Sequence, residues 1–260
     1  MKDTHNTRPP KPYDDRFYIG QKDNSYASAR TMLGYVISKL HPSSVLDIGC
    51  GVGTWCRAAL DCGVTDITGV DGEYVDRSLL YIDENHFVPH DLTKELRLGR
   101  KFDLAVSLEV AEHIDEEFSD MFIQNICQHA DIILFSAAPP RQGGTEHVNE
   151  QPLSYWQKKF LMHDYIFVDG LRGHFWNDSS IEAWYRQNAV LVVKQSEYGR
   201  ISALFPEEHP LDIIHPESYR VKLDIESNAS KHLISRQYII KNHPRITAFF
   251  AQWRKRINHE

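Results

Sequence analysis

The chain is poor in cysteine and has no long run of apolar residues. Its four cysteines, Cys50, Cys56, Cys62 and Cys127, lack CxxC spacing and are too few for a disulfide framework in 260 residues, so we expect free thiols. No stretch approaches the roughly 18 consecutive apolar residues that a membrane span needs. The polar, proline-containing start lacks an apolar run of signal-peptide type. We therefore expect a cytoplasmic protein without a transmembrane segment.

Basic residues are also in deficit. Lysine and arginine number 29 against 36 aspartates and glutamates, a formal net charge of -7. This balance argues against nucleic acid as the main partner, because phosphate binding draws on a basic surface. The clearest local exception is the stretch 241–260, where three basic residues follow two phenylalanines and Trp253. We expect this tail to pack on the domain or on a second copy of the chain, as in a homodimer, rather than on a membrane surface.

Short apolar runs alternate with helical patterns along the chain, which is typical of strand-helix repeats that build a parallel sheet. A covering helix is predicted over Ser28 to Leu40. Seven strands are predicted, at Ser44–Ile48, Asp66–Val70, His86–Val88, Leu104–Leu108, Ile132–Ser136, Tyr165–Val168 and Ala189–Val193. Further helices are predicted at Thr54–Asp61, Glu116–His129 and Gln151–His163. We expect a flexible start (1–16), one α/β domain (17–195) and an appended C-terminal segment (196–260).

The strongest motif is the stretch from Val45 to Trp55, VLDIGCGVGTW, in which a buried strand breaks into a glycine-rich turn that opens a helix. Without Cβ atoms, Gly49 and Gly51 let the backbone approach a ligand closely. Dinucleotide binders favour GxGxxG, but Thr54 stands three positions after Gly51, so the match is GxGxG. Asp47 precedes the turn by two residues and suits the positive amino group of a methionine moiety better than a pyrophosphate. The motif therefore favours S-adenosylmethionine.

Two further acids follow the next strands. Asp71 lies 22 residues after Gly49, the usual position of an acid that accepts hydrogen bonds from both ribose hydroxyls. Asp91, in His90-Asp91-Leu92, can accept from an adenine amine while the neighbouring backbone N–H meets a ring nitrogen. Each acid alone is more often a solvated loop residue. Together, at the ends of consecutive strands, they predict one bound nucleoside.

These motifs, together with Phe102 to Ile114 (FDLAVSLEVAEHI), resemble class I S-adenosylmethionine-dependent methyltransferases, and the last segment is similar to the ubiquinone/menaquinone-type branch. The stretch Gly143 to Pro152 (GGTEHVNEQP), with Trp184 to Asn188, resembles a bacterial subgroup with a GGxxHVN loop. The resemblance covers about Phe17 to Gln195. It implies a Rossmann-like seven-strand sheet, mostly parallel with an antiparallel last strand, with helices on both faces. It also implies S-adenosylmethionine as cofactor and methyl transfer to a small-molecule acceptor.

The residues expected to contact the cofactor lie on the motifs that carry this resemblance. They are Asp47, Gly49, Cys50, Gly51, Gly53, Trp55, Asp71, Gly72, Asp91, Leu92, Leu108 and Glu109. In the family, the residues that match Ser107 to Glu109 line the methionine end of the cofactor. Those that match Glu112 and His113 lie near the acceptor.

Histidine is the usual base for a hydroxyl acceptor, a role worth roughly 100- to 10,000-fold in rate. His147 is the leading candidate, because it follows two glycines in the loop after the fifth strand, on the same sheet edge as the glycine turn. It could instead cap the following helix or bond a backbone carbonyl. His113 and Glu112 are further catalytic candidates, although packing and a helix-dipole contact would also explain them. We see no carboxylate cluster of the kind that binds Mg²⁺ and predict no metal.

The favoured reaction is O-methylation of a sugar, as a nucleotide sugar or polysaccharide precursor, or of a secondary metabolite. This choice follows from an association of the subgroup with such enzymes. Methylation of an amine stays open. Two other classes also remain, a nicotinamide-dependent oxidoreductase on the same sheet and a non-catalytic binding scaffold. Thr54 in place of glycine counts against the first, and the intact turn with its three acids counts against the second.

Overall fold

A computed structural model describes residues 15–206 and 210–219, with side chains from Ser25 on. Seven helices and seven strands in these ranges have the following bounds. They are α1 (Asp15–Leu40), β1 (Ser44–Ile48), α2 (Thr54–Asp61), β2 (Asp66–Asp71), β3 (Phe87–Pro89), β4 (Leu104–Leu108), α3 (Ser119–His129), β5 (Ile132–Ser136), α4 (Leu153–Leu161), β6 (Tyr165–Val168), α5 (Gly170–Phe175), α6 (Ala183–Asn188), β7 (Val190–Lys194) and α7 (Tyr198–Leu204). Five short 3-10 turns join them.

The strands form a single seven-stranded sheet in the order β3-β2-β1-β4-β5-β7-β6. The pairs among β1 to β5 are parallel, and β7 runs antiparallel to both of its neighbours. The predicted fold, with its antiparallel last strand, is confirmed. Because parallel strands end at one edge, the turns after β1, β2 and β4 come together there.

Helices cover both faces of the sheet and enclose two apolar clusters. One cluster joins α1 and α2 to side chains such as Val45 and Leu104, and the other joins α3 and α4 to side chains such as Leu46 and Phe135. Trp156, on the inward face of α4, is completely buried in the second cluster. Neighbouring strand residues thus face opposite layers, as the two-residue period of a strand requires.

Several element boundaries differ from the predicted ones. The first helix begins at Asp15, not Ser28. The prediction missed its first turns because they lack the apolar spacing that marks a covering helix. The helix predicted over Glu116–His129 is a 3-10 turn (Glu116–Phe118) followed by α3. Helix α4 begins directly after Pro152, whose missing N–H costs nothing there. The short helices α5 and α6 were not predicted, since six residues give too little periodicity to detect.

The chain divides into two compact units, residues 1–215 and 216–260. Helix α7 packs against β6 and β7 within the first unit, although it follows the boundary expected at 195. The flexible start expected over 1–16 falls outside the described residues except for its last two, which belong to α1. The basic tail at 241–260 lies outside them altogether. Within the described ranges, each helix is too short or too polar to cross a bilayer.

Candidate active site

A cavity of about 570 Å³ opens at the carboxyl edge of β1, β2 and β4. Its size lies within the range of roughly 300 to 1,000 Å³ found for small-molecule sites. Ten of the twelve predicted cofactor residues lie in its wall. They are Gly49, Cys50, Gly51, Trp55, Asp71, Gly72, Asp91, Leu92, Leu108 and Glu109. Asp47 and Gly53 lie outside this wall, and of the three catalytic candidates only His113 lines it.

The glycine turn after β1 is tied to β2 by its backbone. The N–H of Gly49 donates to the carbonyl of Val70 at 2.8 Å, and Gly49 adopts a left-handed φ of 85°. A Cβ at this position would lie 2.4 Å from Cγ2 of Val110. Glycine is therefore required both by the backbone conformation and by the close approach of the loop after β4.

Asp71, at the end of β2, holds the turn and faces the cavity. Its Oδ2 accepts a hydrogen bond from the N–H of Gly51 at 2.7 Å, and its Oδ1 accepts from the N–H of Gly72 at 2.7 Å. The hydroxyl of Tyr74 also donates to Oδ1, at 2.5 Å. Burial raises the pKa of Asp71 despite these three donors, which act in the opposite direction.

The two predicted cofactor residues outside the wall lie behind the turn. Asp47 is 2% exposed, and its Oδ2 accepts a hydrogen bond from the thiol of Cys56 at 3.8 Å. Burial, followed by the charge of Asp71, raises the pKa of Asp47 to about 8. Gly53 directly precedes α2 and has a φ of 83°, and a Cβ there would lie 2.9 Å from a side-chain carbon of Ile82. Gly53 therefore serves the packing of the turn.

Asp91 lines the far end of the cavity, but its carboxylate is already engaged. Oδ1 accepts from the hydroxyl and the N–H of Thr93 at 2.6 and 3.1 Å, and Oδ2 lies 3.0 Å from Nζ of Lys94. Hydrogen bonds from these two residues lower the pKa of Asp91 to about 2. Leu92 adds an apolar patch beside it. To accept a hydrogen bond from an adenine amine, Oδ2 of Asp91 must therefore turn away from Lys94 or accept a second donor.

Glu109 lies where β4 ends and is held by two amides from distant segments. Its Oε2 accepts a hydrogen bond from Nε2 of Gln142 at 2.6 Å, and its Oε1 accepts from Nδ2 of Asn188 at 3.1 Å. The same Asn188 amide donates to Oε1 of Gln142 at 2.8 Å. Glu109 itself has a left-handed φ of 55°. The network links the β4 end, the loop after β5 and α6 at one side of the cavity.

The three catalytic candidates come together next to this network. Glu112, His113 and His147 each place a carboxylate oxygen or ring nitrogen within 4.8 Å of the other two. The rings of His113 and His147 meet edge to face with centroids 4.9 Å apart. Burial, and then the neighbouring His147, lower the pKa of His113 to about 4. Burial and the charge of Glu109 raise the pKa of Glu112 well above its usual range.

The loop that carries His147 is fixed onto the turn that carries Glu112. The backbone N–H groups of Val148 and Asn149 both donate to the carbonyl of Glu112, at 2.9 and 3.0 Å. The buried Asn149 side chain donates to the carbonyl of Ile114 at 3.0 Å. Nδ1 of His147 is 2.9 Å from Oε1 of Glu150. The sequence stretch GGTEHVNEQP thus serves to anchor one imidazole beside another.

A sequence profile of a family described as a methyltransferase domain matches residues 21–190, well over half of the chain. The chain belongs to this methyltransferase family. No curated protein sequence matches the methyltransferase significantly.

Solved structures similar to this chain include two that are described as methyltransferases. The sugar N-methyltransferase KedS8 from Streptoalloteichus sp ATCC 53650 is 14% identical, with 75% of this chain and 98% of that one covered and a TM-score of 0.57. Streptomyces venezuelae DesVI is 15% identical, with 69% and 96% covered and a TM-score of 0.50. Magnesium protoporphyrin IX methyltransferase from Synechocystis PCC 6803, solved with bound SAM, is 19% identical, with 71% and 88% covered and a TM-score of 0.47. At these identities the similarity shows the fold alone.

Membership of this methyltransferase family supports S-adenosylmethionine as the cofactor. The residues present fit that molecule, because Gly51 lines the cavity and has open space where a side chain would otherwise stand. The buried carboxylate of Asp71 stands in the wall where a ribose would need an acceptor. Both features lie at the edge of the sheet where ligands of such folds bind.

Sequence reasoning missed several residues of the site. Ser25, Tyr74 and Tyr185 line the cavity, and Gln142 and Asn188 hold Glu109. Asn188 and Tyr185 do lie in the stretch Trp184 to Asn188 that carried part of the family resemblance. No local pattern marks the others: Ser25 and Gln142 come from segments distant in sequence, and Tyr74 lies in the loop after β2 without a recognisable motif.

Proposed function

We propose that this methyltransferase methylates a hydroxyl group of a small molecule, a sugar in the form of a nucleotide sugar or polysaccharide precursor, or a secondary metabolite. The observation that carries the proposal is the contact of 2.9 Å between Nδ1 of His147 and Glu150. A carboxylate on Nδ1 favours the tautomer whose Nε2 can accept a proton. His113 links this pair to the cavity, since it lines the wall and packs on His147.

The protein's part in such a reaction is mainly alignment and proton removal. The bound cofactor supplies a methyl group on a sulfonium, which is already electrophilic. Asp71 is proposed to hold the ribose of the cofactor, and Glu109 is proposed to line the methionine end of its site. His147 is proposed to take the proton of the acceptor hydroxyl as the oxygen attacks, and Glu150 then stabilises the imidazolium. His113, with a pKa of about 4, stays neutral near pH 7 and adds no competing charge.

Two considerations support a sugar acceptor. The GGxxHVN loop resembles a subgroup associated with the decoration of sugars, and this loop carries His147. The similar structure KedS8 is described as a sugar N-methyltransferase. That description also makes an amino group the second candidate acceptor. An amine that reacts as the free base loses a proton only after the methyl transfer, so its reaction depends less on a catalytic base than that of a hydroxyl does.

Titration of the purified chain with S-adenosylhomocysteine, followed by calorimetry, tests the cofactor site. Asp71→Asn should weaken binding by about 10- to 100-fold, because hydrogen bonds to a charged group contribute roughly 1.5 to 3 kcal/mol. Asp66→Asn is the matched control, since Asp66 lies at the opposite end of the same strand and contacts Arg100 on the surface. Equal affinities for the wild type and Asp71→Asn would contradict the assignment of Asp71.

A screen of nucleotide sugars and amino sugars, read by mass spectrometry of the product, tests the acceptor class. With a hydroxyl acceptor, His147→Gln should lower kcat by roughly 100- to 10,000-fold while S-adenosylhomocysteine binds as before. His163→Gln, a histidine that follows α4, is the control and should keep full activity. Unchanged kcat in His147→Gln would remove the proposed base. Binding of a nicotinamide cofactor with no binding of S-adenosylhomocysteine would favour the oxidoreductase alternative.

A further inference from the structure

The cluster of Glu112, His113 and His147 has the composition of a metal site. Two imidazoles and one carboxylate, with one ligand atom each, lie within 4.8 Å of one another. Mixed nitrogen and oxygen ligand sets of this kind suit divalent first-row transition metals, whereas Ca²⁺ and Mg²⁺ prefer oxygen alone. The sequence indicated all three residues as catalytic candidates but did not predict their contact, because His147 is more than thirty positions from the other two.

Glu112 provides an independent indication of a cation. Its side chain is completely buried, and neither carboxylate oxygen has a hydrogen-bond partner of good geometry, although the backbone N–H groups of Glu112 and Ala138 and the carboxylate of Glu109 lie nearby. A buried carboxylate without such partners is costly unless it is neutralised by a proton or paired with a positive charge. A cation between Glu112 and the two imidazoles would provide that charge.

Each histidine of the cluster is held in the way that metal-bound histidines are held. Nδ1 of His113 lies 3.3 Å from the carbonyl oxygen of Glu146, and Nδ1 of His147 lies 2.9 Å from the carboxylate of Glu150. A ligating histidine usually gives its second ring nitrogen to a carbonyl or carboxylate, which fixes the ring and its tautomer. A Cβ at Gly144 would lie 2.2 Å from Nε2 of His147, so any residue other than glycine would crowd that nitrogen.

Glu109 does not belong to the proposed ligand set. Its two carboxylate oxygens accept hydrogen bonds from Gln142 and Asn188. The set of three therefore leaves coordination positions open, and His113 brings the cluster to the wall of the cavity. An acceptor oxygen could occupy such a position.

We propose that Glu112, His113 and His147 bind one divalent transition metal ion, of the Mn²⁺ or Fe²⁺ type, at the acceptor end of the cavity. The metal site itself does not depend on the proposed function, but the role of the metal rests on the proposed methylation of a hydroxyl group. A coordinated acceptor hydroxyl has a lowered pKa and releases its proton to solvent. His147 would then act as a ligand and not as the base. This proposal replaces the expectation of no metal.

Titration with Mn²⁺ after chelator treatment tests the proposal, with electron paramagnetic resonance as the readout of free Mn²⁺. Mn²⁺ is chosen because thiols compete poorly for it, so the four cysteines do not obscure the result. The wild type should bind one Mn²⁺ saturably. Glu112→Gln and His147→Gln should each weaken binding by 100-fold or more. Glu150→Gln should weaken it about 10- to 100-fold, as expected when the partner of a ligating histidine is lost.

His163→Gln is the control and should bind Mn²⁺ as the wild type does. Titration of each sample with S-adenosylhomocysteine shows whether a variant is folded and also separates the two proposals. Binding of S-adenosylhomocysteine without saturable Mn²⁺ binding in the wild type would overturn the metal site and leave the proposed function standing. Saturable Mn²⁺ binding that survives in both Glu112→Gln and His147→Gln would also overturn it.

Discussion

The hydroxyl of Tyr74 donates a hydrogen bond of 2.5 Å to Oδ1 of Asp71, the same oxygen that accepts from the N–H of Gly72. The Tyr74 ring lies so close to Gly72 that a Cβ there would be 2.2 Å from Cε1 of the ring. Both lone pairs of Oδ1 are thereby used. A ribose hydroxyl that approaches Oδ1 must therefore compete with a tyrosine of the same loop.

We expect Tyr74→Phe to bind S-adenosylhomocysteine more tightly than the wild type does. The variant removes a competing donor, and a hydrogen bond has a net value of about 1 kcal/mol, which corresponds to roughly a five-fold change in affinity. Calorimetric titration measures the difference, and Tyr198→Phe in α7 serves as the control. Weaker binding by Tyr74→Phe would mean that the hydroxyl contacts the ligand instead of giving way to it.

Gly49→Ala should abolish binding of S-adenosylhomocysteine and lower the free energy of unfolding. The left-handed backbone costs an L residue about 1 to 2 kcal/mol. The methyl group would also meet Val110, and such overpacking adds about 1 to 3 kcal/mol. Gly63→Ala is the matched control, because Gly63 has a φ of 94° with no atom within 4 Å of a built Cβ. Urea denaturation should show a clearly larger loss at Gly49, and equal losses would refute the close-packing argument.

The stability of Asp47→Asn relative to the wild type should depend on pH. Because the pKa of Asp47 is about 8 in the fold and 3.8 ordinarily, the folded state holds a proton that the unfolded state has released between these values. The stability contributed by this group is therefore lost as pH rises through that window, on the order of 1.4 kcal/mol per pH unit. Asparagine has no such dependence, so its advantage should be larger at pH 8 than at pH 5, as measured by denaturation without cofactor.

The opposite dependence is expected of Asp66→Asn. The hydrogen bonds from Arg100 lower the pKa of Asp66, so this carboxylate contributes stability above its unfolded pKa, and that contribution disappears as pH falls. The variant should therefore be less stable than the wild type near pH 7 and approach it in acid. Parallel pH profiles for the two aspartate variants would show that burial does not set the pKa of Asp47.

Asn149→Ala should release the loop that carries His147. The buried side-chain amide donates to the carbonyl of Ile114 and the hydroxyl of Ser119, each at 3.0 Å. Leaving these acceptors unpaired costs about 1 to 3 kcal/mol. We expect faster proteolysis within 141–150 and lower kcat, with unchanged affinity for S-adenosylhomocysteine. Asn85→Ala, at an exposed position, is the control, and an intact loop in Asn149→Ala would show that the backbone contacts to Glu112 suffice.

The fold could be predicted from the sequence because its signals are local. A buried strand that breaks at Gly49, and acids at the ends of the next strands, are visible without knowing which strands pair. The antiparallel β7 came from the family resemblance and not from its apolar run, which has no direction. Short helices such as α6 stayed undetected, because six residues hold fewer than two helical turns.

The candidate site was predictable only in part, because only some of its residues are placed by local structure. Residues on one turn, such as Gly49 and Gly51, are placed by the turn itself. The carboxylate of Asp47 was expected to contact the ligand. The alternation of side chains along β1 instead places it behind the glycine turn, against Cys56. The contacts among Glu112, His113 and His147 depend on how the loop after β5 folds back, and no local pattern encodes that path.

The position of β7 between β5 and β6 has a consequence for synthesis of the chain. Strands β1 to β5 pair with one another and can assemble as they emerge, which completes the edge that holds the glycine turn. Among the strands that the structure describes, β6 pairs with β7 alone, so β6 lacks this partner until residues 190–194 have been made. A nascent chain that ends before Val190 therefore exposes unpaired edges on both β5 and β6, and such edges are templates for aggregation.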